Sequence, residues 1–445
     1  MERRGERLKL EIKRVSKEFL EEIKNKHVIV VSHFDTDGIS SAAIMVQALK
    51  KRDQQFSLKI VKSLNKEFID ELPKDKTILF LDLASGSFNH LKEAKLKKVY
   101  IIDHHEINQE IPDNISIINP QLLEKQKISS SGLVYLFCKE LDESNKEYAK
   151  LAVLGMIGDN LEKEIDNLNN GILEDGEVKR KRGILIYPST RPLNRTLEFS
   201  SSPFIPGVTG NTEGVRDLIR EAGIIPEKGK YKSIIDLTEE ETKNLTTGII
   251  LRNPEIKEKK LVGDIFLIKL FGKLEDAREI SAKINACSRM GESTIALKLC
   301  MESLAGKKRA ESIHAKYRQM LISGLKKVDE LEKIQGEKFM IINARQEIKD
   351  TMIGTVVSIL SHSSLYKEET VLIGLAEDKD RIKVSARNVG SKGRNVREIL
   401  SKVINSIGGE VGGHEFAAGC TISQEKEKEF IDLLKKDLEL QVVKF

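Results

Sequence analysis

The 445-residue chain balances 74 Lys and Arg against 69 Asp and Glu, a net charge of +5, with 32% charged and 40% hydrophobic residues. That composition excludes a disordered chain, and no apolar run reaches the length a bilayer requires. The length exceeds what one hydrophobic core usually serves, so two or three domains are expected. The four cysteines, Cys138, Cys287, Cys300 and Cys420, are scattered without a CxxC pair. Neither a zinc knuckle nor a disulfide framework is expected, and any metal must be held by His and carboxylate.

The N-terminal segment is basic but lacks the apolar stretch of a targeting peptide. Its Leu8, Ile12, Val15, Phe19 and Ile23 recur at three- and four-residue steps, which predicts an amphipathic helix. A cytoplasmic location is the expectation, with no membrane partner. From about 27 to 160, continuously apolar runs (VIVVS, ILFLD, VYIID, ISII) alternate with helical stretches, as in a parallel, doubly wound sheet covered on both faces. The middle is less regular: a basic turn VKRKRG, a loop-like STRPLNRTLEFSSSPFIPGVTG, and a helix announced by a capping box at Thr238 and Glu241. Residues from Ser303 to about Lys333 read as one long polar connecting helix. A second, smaller α/β alternation follows, ending in the glycine-rich GGEVGGHEFAAG and a final helix. The expected organisation is 1–165, a doubly wound parallel-sheet domain; 166–330, a helical and irregular insertion with connecting helices; and 331–445, a smaller α/β domain.

In the first domain each β-run of interest ends in metal-capable side chains. VIVVS leads into His33, Asp35 and Asp37, ILFL into Asp82, and VYII into Asp103, His104 and His105; Asp159 follows the apolar helical run AKLAVLGMI. Ligands of open α/β sheets collect at the carboxyl ends of strands, so these residues should converge. Carboxylates with a few imidazoles suit Mn²⁺ first and Mg²⁺ second. Two such ions about 3.5 to 4 Å apart can share a bridging carboxylate and steady a phosphoryl transfer. Asp and Gly after a strand are common turn residues, so DTDG alone carries little. An Asp-His-His run at a strand end is harder to explain as structural, because burying it unpaired is costly.

Four motifs, SHFDTDG, LDLASG, IDHHE and GMIGD, occur in the order of the DHH phosphoesterase superfamily, and KVSAR with GGEVGGHEFAAG resembles its companion DHHA1 domain. Within the superfamily the chain is similar to the archaeal RecJ-like nucleases, including the GINS-associated class, and TRPLNRTLEFSSSPFIPGVTG looks like their insertion. The resemblance implies a DHH domain at 1–165, a DHHA1 domain at 331–445 and an active-site cleft between the two. It implies one ion held by His33, Asp35 and Asp82 and another by Asp37, Asp82, His104 and Asp159, with Asp103 orienting a ligand and His105 facing the scissile phosphate. In the DHHA1 region it implies substrate contacts from Ser385, Arg387, Gly412, Gly413 and His414.

The activity so implied is exonucleolytic hydrolysis of single-stranded DNA or RNA to nucleoside monophosphates, in replication or repair, with no small-molecule cofactor. The alternatives are a short-oligonucleotide or cyclic dinucleotide phosphodiesterase, and a replication scaffold that binds GINS. Intact ligands favour an enzyme over a scaffold; the extra middle region favours a long polymer or a protein partner. No basic stripe interleaved with aromatics, and no Trp, offers a base-stacking platform. The two charge runs, VKRKRG and GKKRAESIHAKYR, are expected to be solvated faces.

Overall fold

The computed structural model describes residues 5–107, 109–123, 125–200, 203–254, 256, 261–363, 365–390, 392–409 and 411–439. Met1–Arg4, Ser201 and Ser202 of the insertion motif, and Glu410 of the glycine-rich run lie outside these. The chain forms two compact units, Met1–His314 and Ala315–Phe445.

In the first unit, strands β1 (Val28–His33), β2 (Phe56–Val61), β3 (Thr77–Leu81), β4 (Lys98–Ile102) and β5 (Ile115–Ile118) form one sheet in the order β2-β1-β3-β4-β5, with every pair parallel. Alternate side chains feed two cores. Val28, Val30, Leu79, Leu81, Tyr100 and Ile102 pack with the helices Glu6–Ile23, Thr36–Lys51, Ser130–Leu141 and Ala149–Gly158. Ile29, Val31, Ile78, Phe80, Val99 and Ile101 face the helix Phe88–Ala94 on the other side. The sheet is therefore doubly wound, and its order reverses between β1 and β3, where such sheets open a crevice beyond their carboxyl ends. The N-terminal stripe is buried as its spacing predicts, with Phe19 edge-on to Tyr100 at 5.1 Å and to Phe137 at 5.4 Å.

The same unit continues into a three-stranded antiparallel sheet of β6 (Lys179–Ile184), β7 (Val262–Leu270) and β8 (Lys273–Asp276) in the order β6-β7-β8. The basic run expected as a turn is thus an edge strand. Its four exposed Lys and Arg side chains reach water along the margin of the sheet, a placement that discourages pairing with a further strand. Arg180 also pairs with Asp264 of β7. The helix Glu239–Arg252 opens on the predicted capping box: Glu241 N donates to Thr238 Oγ1 at 3.1 Å and Thr238 N to Glu241 Oε2 at 2.8 Å. The long polar helix is Leu304–Glu330 and carries the chain into the second unit.

The second unit holds a six-stranded sheet of β9 (Lys333–Gly336), β10 (Phe339–Asn343), β11 (Val371–Asp378), β12 (Arg381–Asn388), β13 (Val411–His414) and β14 (Ala417–Ser423), in the order β13-β14-β12-β11-β10-β9. One face is covered by the helices Val396–Ile407 and Glu427–Glu439. Ile353 and Val357 of the helix Asp350–Ser361 lie against Gly374 on β11, and the glycine-rich run forms the hairpin β13–β14 at the sheet edge.

The helix Ser130–Leu141 is fastened through Asp175, which takes hydrogen bonds from Tyr135 Oη at 2.6 Å and Lys139 Nζ at 2.7 Å and pairs with Lys146 at 2.9 Å. Burial pushes this carboxyl up, but the lysines and the tyrosine outweigh it and hold the pKa down at about 2. A depressed carboxylate contributes stability above its ordinary pKa and loses it as pH falls through the folded value. Asp175→Asn should therefore lower the unfolding free energy by about 1–2 kcal/mol at neutral pH. Urea unfolding of both proteins at stepped pH should show the gap closing between about pH 4 and pH 2.

Candidate metal centre

The site is assembled at the reversal of the first sheet, from the end of β1 and the segments just past β1, β3 and β4, joined by Asp159 after the helix Ala149–Gly158. After β1 the chain turns directly into the helix Thr36–Lys51, capped by Asp35, whose Oδ1 accepts from Gly38 N at 2.9 Å. A Cβ on Gly38 would stand 2.3 Å from the His33 carbonyl oxygen, so only glycine lets the helix begin this close to the strand. Past β3, Asp82 and Ala84 both adopt left-handed backbone, with φ of 60° and 89°. For non-glycine residues this costs of order 1–3 kcal/mol each, the kind of strain that accumulates where a side chain must be aimed.

Three sets of metal-capable atoms come within 4.8 Å of one another: His33, Asp35 and Asp82; Asp37, His104 and Asp159; and Asp82, His104 and His105. Asp82 belongs to two sets and stands between the others. Its Oδ2 is 3.4 Å from His33 Nδ1 and its Oδ1 is 3.8 Å from His104 Nε2. His33 Nδ1 also lies 3.1 Å from Asp35 Oδ2, and His104 Nε2 lies 3.4 Å from Asp159 Oδ2. With Asp103 held against His105, all eight of the first domain's candidates thus meet, five carboxylates with three imidazoles.

Their surroundings divide them. Asp82 is 2% exposed, yet among the described residues neither of its oxygens has a hydrogen-bond partner, nor does Asp159 Oδ2. Buried carboxylate oxygens without protein donors are costly unless a cation meets them, so the donor set fits hard divalent ions. Burial, followed by the charges of Asp35, Asp37 and Asp103, drives the Asp82 carboxyl well above its usual range, and burial with Asp37 and Asp82 does the same to Asp159. Asp35 goes the other way: burial pushes it up, but the charge and hydrogen bond of His33 outweigh that.

Asp37 and Asp103 are anchored by the chain itself. Asp37 accepts from Ser130 N at 2.7 Å and Ser131 N at 2.9 Å, at the positive end of the helix Ser130–Leu141. Asp103 accepts from Ser85 N at 3.1 Å and His104 N at 2.8 Å, and holds His105 Nδ1 at 2.7 Å. Burial pushes Asp103 up, but the hydrogen bond and charge of His105, helped by the hydrogen bond from Ser85, outweigh it and hold it far below the usual carboxylate range. His105, at 46% the most exposed ring of the three, has its pKa lowered by burial but raised on balance by Asp103.

Two residues inside the motifs, Thr36 and Gly155, contribute without being candidate ligands. Thr36 Oγ1 donates to Ser281 O at 3.2 Å, which docks the helix Ala277–Arg289 on the first motif. A Cβ on Gly155 would fall 2.0 Å from Asp37 Oδ1, so this glycine makes room for the carboxylate. The sequence does carry a signal for it: two glycines inside the apolar helix of GMIGD weaken it by about 1 kcal/mol each relative to Ala unless something passes close by. His27 and His362, outside the cluster, bond to Ser57 Oγ at 2.8 Å and Ser358 O at 2.7 Å.

In the second unit, strand register aligns the expected residues. Ser385 and Arg387 on β12 lie opposite Gly419 and Ala417 of β14, which in turn face Gly412 and His414 of β13. Ser385, Arg387, Gly412 and His414 thereby share one sheet face, and Gly413, at φ 111°, turns its backbone in a way that glycine permits. Arg387 is oriented by Ser358, whose Oγ accepts from its Nε at 2.8 Å, and by the Ala386 carbonyl, 2.8 Å from Nη1.

Residues 27–156 match the DHH family, N-terminal domain, residues 186–259 the DHH-CID domain, and residues 336–440 the DHHA1 domain. An uncharacterized protein of Methanocaldococcus jannaschii is 28% identical over 96% of both chains. The single-stranded-DNA-specific exonuclease RecJ of Bacillus subtilis is 24% identical over 90% of this chain and 44% of its own length. Among solved structures, RecJ of Thermus thermophilus in complex with Mn²⁺ superposes with a TM-score of 0.60 at 19% identity, over 96% of this chain and 54% of that one. CDC45 of Entamoeba histolytica gives 0.66 at 13% identity, over 95% and 98%. The chain thus spans about half the length of these two RecJ proteins.

Two outcomes are expected. In chelator, Asp82→Asn should melt at or above wild type, because it removes a carboxyl whose ionisation burial and the neighbouring carboxylates oppose; added Mn²⁺ should raise the melting temperature of wild type only. Thermal denaturation with and without the ion reads both, and a variant that melts lower in chelator would contradict the account of Asp82. Gly155→Ala should destabilise by about 1–3 kcal/mol in urea. It should also weaken Mn²⁺ binding measured by calorimetry, since the added methyl displaces Asp37.

Proposed function

Because the chain belongs to the DHH superfamily and is RecJ-like in its domains and fold, we propose that it is a two-metal exonuclease hydrolysing single-stranded DNA or RNA to nucleoside monophosphates. Phosphoesterase chemistry comes with the family; the nucleic acid, the ion pair and the products are this reading's own. One observation carries it: Asp82, buried and without hydrogen-bond donors among the described residues, stands between a His33–Asp35 set and a His104–Asp159 set. A carboxylate so placed is suited to bridging two cations.

His33, Asp35 and Asp82 would hold one ion, and Asp37, Asp82, His104 and Asp159 the other. Mn²⁺ is the first candidate and Mg²⁺ the second, since the donors are all oxygen and imidazole nitrogen. When bound, such ions supply positive charge for the phosphodiester oxygens and lower the pKa of a water. The protein's own part is placement. Asp103 holds His105 through Nδ1, which leaves Nε2 to meet substrate, and its negative charge favours the imidazolium. A charged His105 can donate to a phosphate oxygen and stabilise the charge that develops there.

In the second unit, Arg387, Ser385 and His414 with the backbone of Gly412 and Gly413 would bind the substrate's phosphates. Arg387 and His414 lie on one rung two strands apart, about 10 Å, so they would engage different phosphate groups or the two sides of one nucleotide. A replication complex of the GINS type is the protein partner this reading expects.

The test is digestion of end-labelled single-stranded DNA and RNA, long and short, with Mn²⁺, using Asp82→Ala as control. Progressive mononucleotide release that disappears in the variant is expected. Activity confined to substrates of a few nucleotides would move the reading to a short-oligonucleotide phosphodiesterase. Cleavage of none would overturn the nuclease reading and leave the scaffold.

A further inference from the structure

A buried ring of hydrogen bonds ties together the loops beyond β3, β4 and β5, and its fourth corner is Asn119, which no motif includes. Asn119 directly follows β5 and is 1% exposed. Its Nδ2 donates to Ser85 Oγ at 3.0 Å and to the His105 carbonyl at 2.9 Å, while its Oδ1 accepts from Gln121 N at 2.9 Å. These partners fix which end of the amide is which, because the nitrogen faces a carbonyl and the oxygen faces an N–H. Ser85, 0% exposed, donates its own N–H to Asp103 Oδ2, and Asp103 Oδ1 accepts from the N–H groups of His104 and His105 at 2.8 and 3.3 Å. The ring Ser85–Asp103–His105–Asn119 therefore closes on itself.

Each corner has a consequence for the donor set. Ser85 sits one residue past the strained Ala84 and steadies the loop that carries Asp82. The His105 carbonyl is the end of the peptide run bearing both imidazoles, whose backbone N–H groups Asp103 already occupies. Asn119 is thus a side chain that grips the Asp82 loop with one hydrogen bond and the His104–His105 loop with the other. A satisfied buried network of this kind gives its members one arrangement, where a broken one leaves several.

We propose that Asn119 is a positioning residue: acting through Ser85 and the His105 carbonyl, it sets the spacing between Asp82 and the His104–His105 pair and so the affinity of the centre for divalent cations. The inference rests on the metal reading of the site but not on the identity of the substrate. Outer residues that orient ligands typically change metal affinity about 10–100-fold when removed.

The test uses the full chain with Mn²⁺ alone. Calorimetric titration of wild type, Asn119→Ala, Ser85→Ala and Asn145→Ala is compared with their melting temperatures. Asn145 is equally buried in the same unit but bonds to the Cys138 carbonyl at 2.8 Å, outside the ring, so its variant reports the effect of losing any buried amide. Asn119→Ala is expected to bind Mn²⁺ about 10–100-fold more weakly. Ser85→Ala should weaken it in the same direction by less, and Asn145→Ala should lose thermal stability with wild-type affinity. If Asn119→Ala does not fold, Ser85→Ala decides alone. Wild-type affinity in the folded ring variants, or an equal loss in Asn145→Ala, would overturn the proposal. If wild type binds Mn²⁺ yet cleaves no nucleic acid, the substrate reading fails and this comparison still stands.

Discussion

The constraint from which the site follows is the burial of Asp82 among like charges. Burial withdraws this carboxylate from the surface, no group among the described residues donates a hydrogen bond to it, and Asp35, Asp37 and Asp103 crowd it further. Nothing in hydrophobic packing explains such a residue. The left-handed backbone at Asp82 and Ala84, the glycine at 155 and the strand-end convergence are costs that point toward the same few ångströms. A fold that concentrates unfavourable terms in one place reserves its strain for chemistry.

The contrast among the carboxylates is instructive. Asp37 and Asp103 are equally buried, but both oxygens of each accept hydrogen bonds from N–H groups that the chain itself supplies. Asp82 and Asp159 are under-satisfied and can accept an ion with little competition. Two roles thus come from one residue type, decided by whether a helix start or a neighbouring loop offers amides. Through Asp37, the helix Ser130–Leu141 is electrically part of the centre although it contributes no side chain to it.

Much of this is legible in the sequence because its determinants are local. Apolar runs ending in Asp or His specify strands with ligands at their carboxyl ends, and the helical spacing from Leu8 to Ile23 and the Thr238–Glu241 box specify their elements without help from the rest of the chain. What the sequence hides is set by long-range contact. Gly155 matters because Asp37, over a hundred residues earlier, passes beside it. The docking of Thr36 on Ser281 joins positions far apart in the chain. The basic run at Lys179 misleads for a related reason: charge on both faces resembles a turn until a partner strand, β7, is known to lie on one side.

The under-satisfied pair has a thermodynamic corollary. Carboxyls whose affinity for protons is raised by burial and mutual repulsion hold those protons more firmly than solvent-exposed acids do, and a divalent ion must displace whatever protons are there. A divalent cation taken up at such a centre would be held less firmly as the medium becomes more acid.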